Sequence, residues 1–468
     1  MPKAGKYSSK VVPRPGSLVT QTEPALWLTT IWLAIAGSRT VGQWLAVTGI
    51  ADVGGAASLA ERNIDGSPFD RNLLAAMLFL AVIVLARRGA RVRTLLLANG
   101  PILIFFLYCL VSVVWSDFSD IAFKRWIKAL GDVAMVLIVV TDKDPSAAVK
   151  KLLSRVGFVL VPASLLLDKY YAQIGKGFTP AGDDFFMGVA NSKNELGGVC
   201  MLFGLGAVWR LVQLWRESGK RRSRKPLFAQ AVLLVFVVAL FWTAHTMTAL
   251  VCFLLASVLI VATSFRSIVR RRWLVHAMVG GIVAMCFTAL FLDVGAGMVQ
   301  SIGKDPTLTG RTAVWDLVFS LTHNRMLGAG FESFWLGPRL EKIWSVYWWH
   351  PNEAHNGYIE VFLNLGYVGV GLLIVLILTG YRNVINAFRS DPDNGRLRLA
   401  YLTMAVVYNF TESAVRMMHP VWICFLLATV MCPGGWRPAK SKKSSARAAS
   451  STELTPSVDD MTPLPLRV

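Results

Sequence analysis

The sequence predicts an all-α protein that crosses a membrane many times, and three observations support this prediction. Of its 468 residues, 54% are hydrophobic and only 16% are charged, whereas soluble domains carry about 25% charged residues. The mean hydropathy is +0.51. The apolar residues also lie in blocks separated by short basic segments. Because a helix satisfies its own backbone hydrogen bonds, such blocks are predicted to be transmembrane helices.

About twelve segments are candidate spans, since a helix needs about 20 apolar residues to cross the hydrocarbon core. The longer candidates are residues 95–115, 196–214, 227–244, 247–264, 273–292 and 358–379. The shorter candidates are residues 25–37, 73–86, 129–141, 156–167, 399–408 and 421–431.

Basic residues occupy every second connection between these segments, and the N-terminus and the C-terminal tail are basic as well. By the positive-inside rule, both termini are predicted to lie in the cytoplasm, in a multi-pass protein of a bacterial-type inner membrane. The basic connections contain Arg87, Arg88, Arg91 and Arg93; Lys143, Lys150, Lys151 and Arg155; Arg216, Lys220, Arg221, Arg222, Arg224 and Lys225; Arg266, Arg270, Arg271 and Arg272; and Arg382, Arg389, Arg396 and Arg398.

The predicted organisation follows from these spans and charges. A basic cytoplasmic N-terminus (1–24) precedes transmembrane helices 1–9 (25–292). A large periplasmic loop (293–355) with short helices carries the candidate active site, and helices 10–12 (356–432) follow it. The tail (433–468) is rich in Ser, Lys, Ala and Pro and is predicted to be disordered.

The net charge of +20 would suggest a nucleic-acid partner in a soluble protein. Here the cations flank apolar blocks, so they are interpreted as topology signals and contacts to anionic lipid headgroups. The lipid bilayer is therefore an expected partner and nucleic acid is not. The six cysteines lie in or beside apolar blocks without CxxC spacing, which predicts no disulfide and no zinc site.

The periplasmic loop contains the residues with the most distinctive chemistry. A short amphipathic helix is predicted to begin near Thr309 and to end near Asn324, with Val314, Trp315 and Val318 at helical spacing. A turn with special backbone angles is predicted at Leu327-Gly328-Ala329-Gly330-Phe331. An aromatic stretch follows, whose rings suit the headgroup level or can stack on sugars. It contains Trp344, Tyr347, Trp348 and Trp349, and it leads into His350-Pro351-Asn352-Glu353-Ala354-His355-Asn356-Gly357-Tyr358.

These motifs, in this order, resemble the O-antigen ligase and polysaccharide polymerase superfamily, and most of all its exopolysaccharide polymerase type. The resemblance extends from about Trp115 to Gly366. It rests on Phe186-Met187-Gly188-Val189, Lys193-Asn194-Glu195-Leu196-Gly197, Gly310-Arg311 with Trp315, Leu327-Gly328-Ala329-Gly330-Phe331, and His355-Asn356-Gly357-Tyr358 followed by Gly366.

The resemblance implies a helical membrane fold related to the GT-C glycosyltransferases and transfer of a glycan from an undecaprenyl-diphosphate-linked oligosaccharide. It implies that His355 is the candidate general base, that Arg311 contacts the diphosphate, and that no metal or other cofactor is required. A chain-length-regulating co-polymerase is a partner that only the resemblance suggests.

The chemistry of these side chains agrees with those roles. Negative charge develops on phosphate as the sugar leaves, and arginine is always charged and grips oxygens in a fork. A sugar hydroxyl is a poor nucleophile and gains from a base with a pKa near neutral, as histidine has. The alternatives remain open: Arg311 could be a solvated charge, and the pair His355-Asn356 could only cap a helix.

Further residues are predicted to contact substrate: Lys193, Asn194, His245, Trp315, Asn356 and Glu360. A solvated Lys193 is an equal alternative. Asn356 and Glu360 share a helix face that excludes His355, so a His–Glu relay along that helix is not expected.

The spacing of His350, Glu353 and His355 fits no known metal motif. Lys128 and Asp132 could form an ion pair that lowers the cost of insertion, and Arg125 could face lipid headgroups.

One stretch departs from the family pattern. Many relatives carry Ser-x-Ser-Arg or Ser-x-Ser-Lys at the outer start of the eighth span, where this chain has Ala244-His245-Thr246-Met247-Thr248. Met247 stands in place of the expected cation, so His245 or Lys193 is expected to substitute for it.

These observations predict a metal-independent, inverting glycosyltransferase that polymerises lipid-linked repeat units at the periplasmic face. One alternative keeps the chemistry but transfers the glycan to lipid A core or another acceptor, as an O-antigen ligase does. A second alternative is a transporter or flippase of lipid-linked sugar. Transporters place charged residues at the bilayer midplane, whereas the distinctive residues here cluster in one outer loop.

Overall fold

The computed structural model describes residues 23–49, 67–178, 184–216, 224–291, 309–433 and 436. Helices dominate these ranges, which agrees with the predicted all-α membrane class. Two short strands, Lys176–Phe178 (β1) and Asp184–Phe186 (β2), pair antiparallel. Nearly all of the predicted basic N-terminus and of the predicted disordered tail lies outside the described residues, as does the first part of the predicted periplasmic loop.

Nine helices in the described part of the chain precede residue 217. In chain order they are Leu26–Ala36 (α1), Val41–Val47 (α2), Pro68–Arg87 (α3), Gly89–Ala98 (α4), Gly100–Val111 (α5), Ser119–Val140 (α6), Pro145–Tyr170 (α7), Ala172–Gly175 (α8) and Lys193–Arg216 (α9). A single 3₁₀ turn, Ser112–Trp115, continues α5.

The remaining described helices include the longest one. They are Arg224–Ala244 (α10), Met247–Ala262 (α11), Arg266–Arg270 (α12), Arg272–Phe291 (α13), Thr309–Ser320 (α14), Gly337–Val346 (α15), Gly357–Ser390 (α16), Pro392–Tyr408 (α17) and Pro420–Thr429 (α18). Nearly every side chain of α17 and α18, and most of those of α9, are buried, so these three helices form the centre of the bundle.

Each predicted span overlaps a helix or a bent pair of helices, and it extends beyond the described helix by at most two residues at either end. By length and composition, five described helices can cross a membrane, or six if the bent pair α4 and α5 counts as one span. The five are α3, α9, α10, α13 and α16, and α1, α11 and α18 are shorter apolar helices. The short predicted spans 129–141, 156–167 and 399–408 proved to be parts of the longer helices α6, α7 and α17. The additional helical turns of α6, α7 and α17 carry charged residues, so the apolar pattern alone predicted helices that were too short.

The predicted continuous span 95–115 is wrong in one respect, because the chain bends there by 87° between α4 and α5. Asn99 lies at the bend, and its side-chain amide donates to the carbonyl oxygens of Leu95 (2.8 Å) and Met431 (3.0 Å). Its Oδ1 accepts from the Met431 amide at 2.7 Å. The bend is therefore stabilised by hydrogen bonds to the residues that follow α18, a distant contact that local sequence does not reveal.

Arg396 and Arg398 were predicted to be loop charges, and this is wrong: they lie within α17, and only 2% and 3% of their surface is exposed. The Arg396 guanidinium donates to the Thr263 carbonyl oxygen at 3.0 Å, just beyond α11. Arg398 donates to the carbonyl oxygens of Ala428 and Val430 at 2.6 Å each. The last carbonyl groups of a helix lack partners within it, so these cations cap the ends of α11 and α18.

A break in α16 holds the loop motif that contains Gly328 and Gly330. Gly366 has φ +63° and ψ −166°, which interrupts the helix. The backbone groups freed there bond the loop: Tyr367 N donates to Arg325 O at 2.9 Å, and Ala329 N donates to Leu363 O at 3.0 Å. The predicted turn is confirmed, because Gly328 and Gly330 have φ +73° and +94°.

The segment after residue 308 packs as a small core of its own on this break. Val314 and Val318 of α14 are buried together with Phe334, Ile343 and Leu363. The predicted amphipathic helix is thus confirmed, with its apolar face against α15 and the first turns of α16. We call the end of the bundle that carries this segment the loop end.

Replacing Gly366 by alanine is expected to destabilise the protein by about 2 kcal/mol or more, because the positive φ disfavours a side chain. The new Cβ would also lie 2.2 Å from the Met326 carbonyl oxygen. Gly371→Ala in the same helix is the matched control, since a Cβ there meets nothing within 4 Å. Thermal unfolding of the purified variants measures the difference; equal melting temperatures would contradict the proposed role of the break.

Candidate active site

His355 lies at the loop end, immediately before α16. Its backbone has φ +50°, in the left-handed region that few residues other than glycine adopt. Asn356 follows as the N-cap, and its Oδ1 accepts from the amides of Tyr358 and Ile359 at 3.0 and 3.1 Å. Its Nδ2 donates to the Phe410 carbonyl oxygen at 3.0 Å. Asn356 therefore positions the neighbouring imidazole through the backbone and uses most of its own hydrogen-bonding capacity to do so.

The connection between α17 and α18 packs directly against this start of α16. The Gly357 amide donates to the carbonyl oxygens of Asn409 (2.9 Å) and Glu412 (3.1 Å). A Cβ on Gly357 would lie 1.9 Å from the Asn409 side-chain oxygen, so only glycine permits this approach. Asn409 in turn accepts from the amides of Ala414 and Val415 at 2.9 and 3.1 Å. The connection is thus a rigid part of the site.

Glu412 in this connection brings three of the predicted residues together. Its side chain is only 8% exposed. Its carboxylate lies 3.5 Å from Nη2 of Arg311 and 3.8 Å from Nδ1 of His355. Nδ2 of Asn194, in the first turn of α9, donates to both of its oxygens at 3.1 and 3.2 Å. Three residues that are far apart in the sequence, Asn194, Arg311 and His355, therefore surround the carboxylate of Glu412.

Arg311 also donates through Nη1 to the carbonyl oxygen of Thr411. The Thr411 hydroxyl donates to the Thr248 hydroxyl at 3.4 Å, which places the start of α11 beside the site. His245 precedes that helix; it is exposed and has φ +51°. The Arg311 side chain is 28% exposed, so its guanidinium can still receive an anion from solvent.

A second carboxylate, Glu353, also faces Nδ1 of His355. Its Oε1 is 3.0 Å from Nδ1 of His355. Its Oε2 is 2.9 Å from Nη1 of Arg416, whose Nη2 is 3.2 Å from Oε1 of Glu195. Acidic and basic groups thus alternate along a row of six side chains, which we call the ion chain: Glu195, Arg416, Glu353, His355, Glu412 and Arg311.

The ion chain sets the charge of its members. Burial alone would lower the pKa of His355, but Glu353 and Glu412 outweigh this effect and raise the pKa to about 9. Burial likewise opposes the ionised form of Glu353, yet Arg416 and His355 lower its pKa to about 2. Burial also opposes the charged form of Arg416, but Glu353 and Glu195 raise its pKa. At neutral pH His355 is therefore mostly an imidazolium.

Glu353, His355 and Glu412 also form a group that could hold a metal ion, since their ligand atoms lie within 4.8 Å of one another. Two of these three ligands are carboxylates, and each already pairs with an arginine. A divalent ion would need His355 to lose its proton and would have to compete with both guanidinium groups. His350, which is close to Glu353 and His355 in the sequence, is not part of this group and packs against Trp344.

Three other predicted residues lie around the site without touching His355. Nε1 of Trp315 donates to the carbonyl oxygen of Ala354 at 2.8 Å. Glu360 is enclosed and accepts from Trp335 Nε1 at 2.9 Å and from the Ala354 amide. Both side chains thus hold the segment just before His355. The Lys193 ammonium lies 5.6 Å from the centre of the Phe185 ring. Contacts of these residues with substrate remain predictions.

Sequence reasoning missed Glu412, Arg416 and the role of Glu195. Glu412 and Arg416 lie in a polar stretch between two short apolar segments, and that stretch was treated as an ordinary connection. Charged residues inside a membrane domain are costly and frequently functional, and the shortness of the two flanking apolar segments was the available signal that this stretch could be enclosed. Their pairing with His355 and Glu353 depends on long-range packing that no local pattern encodes.

The fold and the site define a class: a multi-pass helical membrane protein with a polar, partly enclosed reaction site at one end of its bundle. A family model described as O-antigen ligase matches residues 230–374. The exopolysaccharide production protein ExoQ of Rhizobium meliloti (strain 1021) is 26% identical over 365 residues, which cover 72% of this chain and 80% of that protein. These matches confirm the predicted resemblance to the O-antigen ligase-like superfamily, and they support an O-antigen ligase- or polymerase-like membrane enzyme.

The matched segment contains Arg311 and His355, whereas Asn194 and Glu412 lie outside it. The ion chain therefore joins the segment that matches the family model to residues before it in the sequence (Glu195) and after it (Glu412 and Arg416).

Replacing Arg416 by glutamine is expected to lower the stability of the protein by about 2 kcal/mol, because Glu353 and Glu195 lose their shared cation while remaining partly solvated. Arg416→Lys keeps the charge but not the forked geometry, so it is expected to restore only part of the loss. Arg382→Gln, at an exposed position of α16, is the control. Thermal unfolding would contradict a structural role for the ion chain if all three variants melted like the original protein.

Proposed function

We propose that this chain is an inverting membrane glycosyltransferase that polymerises undecaprenyl-diphosphate-linked repeat units into an exopolysaccharide or O-antigen. The observation that supports this best is the meeting of Arg311 and His355 at Glu412, with distances of 3.5 and 3.8 Å. One residue of this pair suits a diphosphate leaving group and the other a hydroxyl nucleophile. The family resemblance supplies the substrate class.

In this proposal Arg311 binds the diphosphate of the donor. Its guanidinium is oriented by Glu412 and the Thr411 carbonyl oxygen, so little further ordering is needed when an anion arrives. As the bond between the anomeric carbon and the phosphate oxygen breaks, the electron pair leaves with undecaprenyl diphosphate. A fixed cation at that point stabilises the developing charge.

His355 is the group that takes the proton of the attacking hydroxyl. Its Nδ1 faces Glu353 and Glu412, so Nε2 is the atom available to the acceptor sugar. The hydroxyl oxygen attacks the anomeric carbon opposite the leaving group, which inverts the configuration, and its proton moves to Nε2. Only neutral imidazole can accept it. With a pKa of about 9, about one molecule in a hundred carries neutral imidazole at pH 7.

The wider architecture belongs to the same proposal. About twelve helices would cross the inner membrane in a GT-C-like arrangement, with both termini in the cytoplasm and the loop end in the periplasm. The reaction would need no metal, because the cations of the ion chain already neutralise its carboxylates. A chain-length-regulating co-polymerase is a possible partner by analogy with the family.

His355→Ala is expected to lower the rate of sugar transfer by about a hundred- to ten-thousand-fold, the usual contribution of general acid–base catalysis. The assay uses purified protein with one lipid-linked repeat unit and measures both polymer and released undecaprenyl diphosphate. His323→Ala, at an exposed histidine of the same loop, is the control. Normal transfer by His355→Ala would refute its catalytic role. Release of no diphosphate by the unaltered protein would favour a transporter, and transfer only after another acceptor is added would favour a ligase.

The pH dependence of kcat/KM tests the role of the imidazole separately. If His355 accepts the proton, kcat/KM should rise as the pH increases and level off above the pKa of about 9. Glu353→Gln removes one carboxylate that favours the imidazolium, so its profile should shift to lower pH. Glu341→Gln, at an exposed position of α15, should leave the profile unchanged. A rate that instead falls above pH 9 would mean that His355 works as a cation.

A further inference from the structure

A large cavity lies beside the ion chain. Its volume is about 930 Å³, near the upper end of the range of about 300–1,000 Å³ that ligand sites occupy. Its walls come from α1, α2, α3, α6, the start of α9 and the connection before α18. Trp344 and His350 of the loop also line it. None of the roles assigned above uses this space.

Cationic side chains line one wall of the cavity. Lys124, Arg125 and Lys128 have the spacing of one face of α6, and Arg71 of α3 joins them. Arg125 donates to the carbonyl oxygen of Glu332, which fixes it at the boundary with the loop. The wall therefore carries several positive charges within the reach of one ligand.

The acidic residues near this wall already have partners. Oδ1 of Asp70 accepts from the Gly42 amide at 2.8 Å. Asp132, one turn beyond Lys128, accepts from Nε1 of Trp32 at 2.8 Å and from the Met418 amide at 2.9 Å. The ion pair suggested by the spacing of Lys128 and Asp132 is therefore replaced by these hydrogen bonds. The other acidic residue of the lining, Glu195, pairs with Arg416. Glu332 interacts electrostatically with Arg125 and Lys128 and offsets part of their charge. The lining still holds more cations (Arg71, Lys124, Arg125, Lys128 and Arg416) than carboxylates (Asp70 and Glu195), so the cavity suits an anion.

The cavity adjoins the candidate active site at one end of the ion chain. Arg416 and Glu195 line the cavity, and Arg416 contacts Glu353, the partner of His355, at 2.9 Å. Arg311 stands at the opposite end of the ion chain. A ligand in the cavity would therefore meet the ion chain at its Arg416 end, whereas the proposed donor diphosphate lies at its Arg311 end.

Aromatic rings lie near the same space. The rings of Trp344 and His350 pack with their centroids 4.7 Å apart and an interplanar angle of 30°, and both residues line the cavity. Flat ring surfaces with a polar edge suit the apolar faces of sugar rings. Cations at one wall and rings at another match a molecule with both phosphate and sugar.

We propose that this cavity binds the second lipid-linked substrate, the acceptor, with the α6 cations holding its diphosphate and the Trp344–His350 pair contacting its sugars. This inference rests on the proposed function. The reacting carbon of the donor is attached directly to its diphosphate, so that diphosphate must lie beside His355 and Arg311. The acceptor reacts through a hydroxyl at the far end of its repeat unit, so its own diphosphate lies an oligosaccharide's length away and needs a separate cationic site.

The test is a binding measurement with undecaprenyl diphosphate as the probe and the full chain in nanodiscs of phosphatidylcholine. Native mass spectrometry should detect two bound molecules per chain. The double variant Lys124→Gln/Lys128→Gln should lose one of them, with an affinity reduced about tenfold or more, since a charge-assisted hydrogen bond contributes at least that much. Arg311→Gln should lose the other. Arg325→Gln/Lys342→Gln removes the same charge at exposed positions and should bind both.

Several outcomes would overturn this assignment. The assignment is wrong if Lys124→Gln/Lys128→Gln binds undecaprenyl diphosphate as the unaltered protein does. It is also wrong if this double variant loses both bound molecules. Equal binding of phosphatidylglycerol would identify a bilayer lipid site, and equal binding of undecaprenol would show that phosphate is not recognised. In the transfer assay, the same double variant should raise KM for the lipid-linked repeat unit while kcat changes less than twofold. If the unaltered protein binds two molecules of undecaprenyl diphosphate but transfers no sugar, the proposed transferase function is wrong. The proposed diphosphate site in the cavity would still stand.

Discussion

The close approach between the start of α16 and the connection that follows α17 is the constraint on which the site depends. Two carbonyl oxygens of that connection share the Gly357 amide, and the absence of a side chain on this glycine allows the contact. Because His355 precedes Gly357 and Glu412 supplies one of those oxygens, the backbone contact alone brings imidazole and carboxylate together. The break at Gly366 acts in the same direction, since it fastens the preceding loop to the same helix.

Charge is the second organising principle, and it serves both stability and chemistry. Partly buried ions are tolerated when each has a partner of opposite sign, and the alternation along the ion chain provides one for every member. The same arrangement holds a proton on His355 in the resting protein. The carboxylates that stabilise the site therefore also set the fraction of neutral imidazole.

Much of the architecture was predictable because helices have a local signature. Each apolar block overlaps a helix, glycine spacing located the turn at Gly328, and family motifs pointed to Arg311 and His355, which the structure brings to one carboxylate. The bend at Asn99, the caps made by Arg396 and Arg398, and the partnership of Glu412 with His355 were not predictable. Each joins residues far apart in the chain, and periodicity and composition describe only neighbours.

The buried guanidinium groups of α17 bear on how the protein is assembled. An arginine at the centre of an isolated transmembrane helix costs about 2.5–3.5 kcal/mol on insertion, and α17 carries two near one end. Their acceptors come from a helix made earlier, α11, and from one made later, α18. α17 is also not among the described helices that are long and apolar enough to cross a membrane, so the newly synthesised segment is a poor candidate for independent entry into lipid. Its integration would follow the arrival of its neighbours, so that the order of synthesis becomes part of the folding pathway.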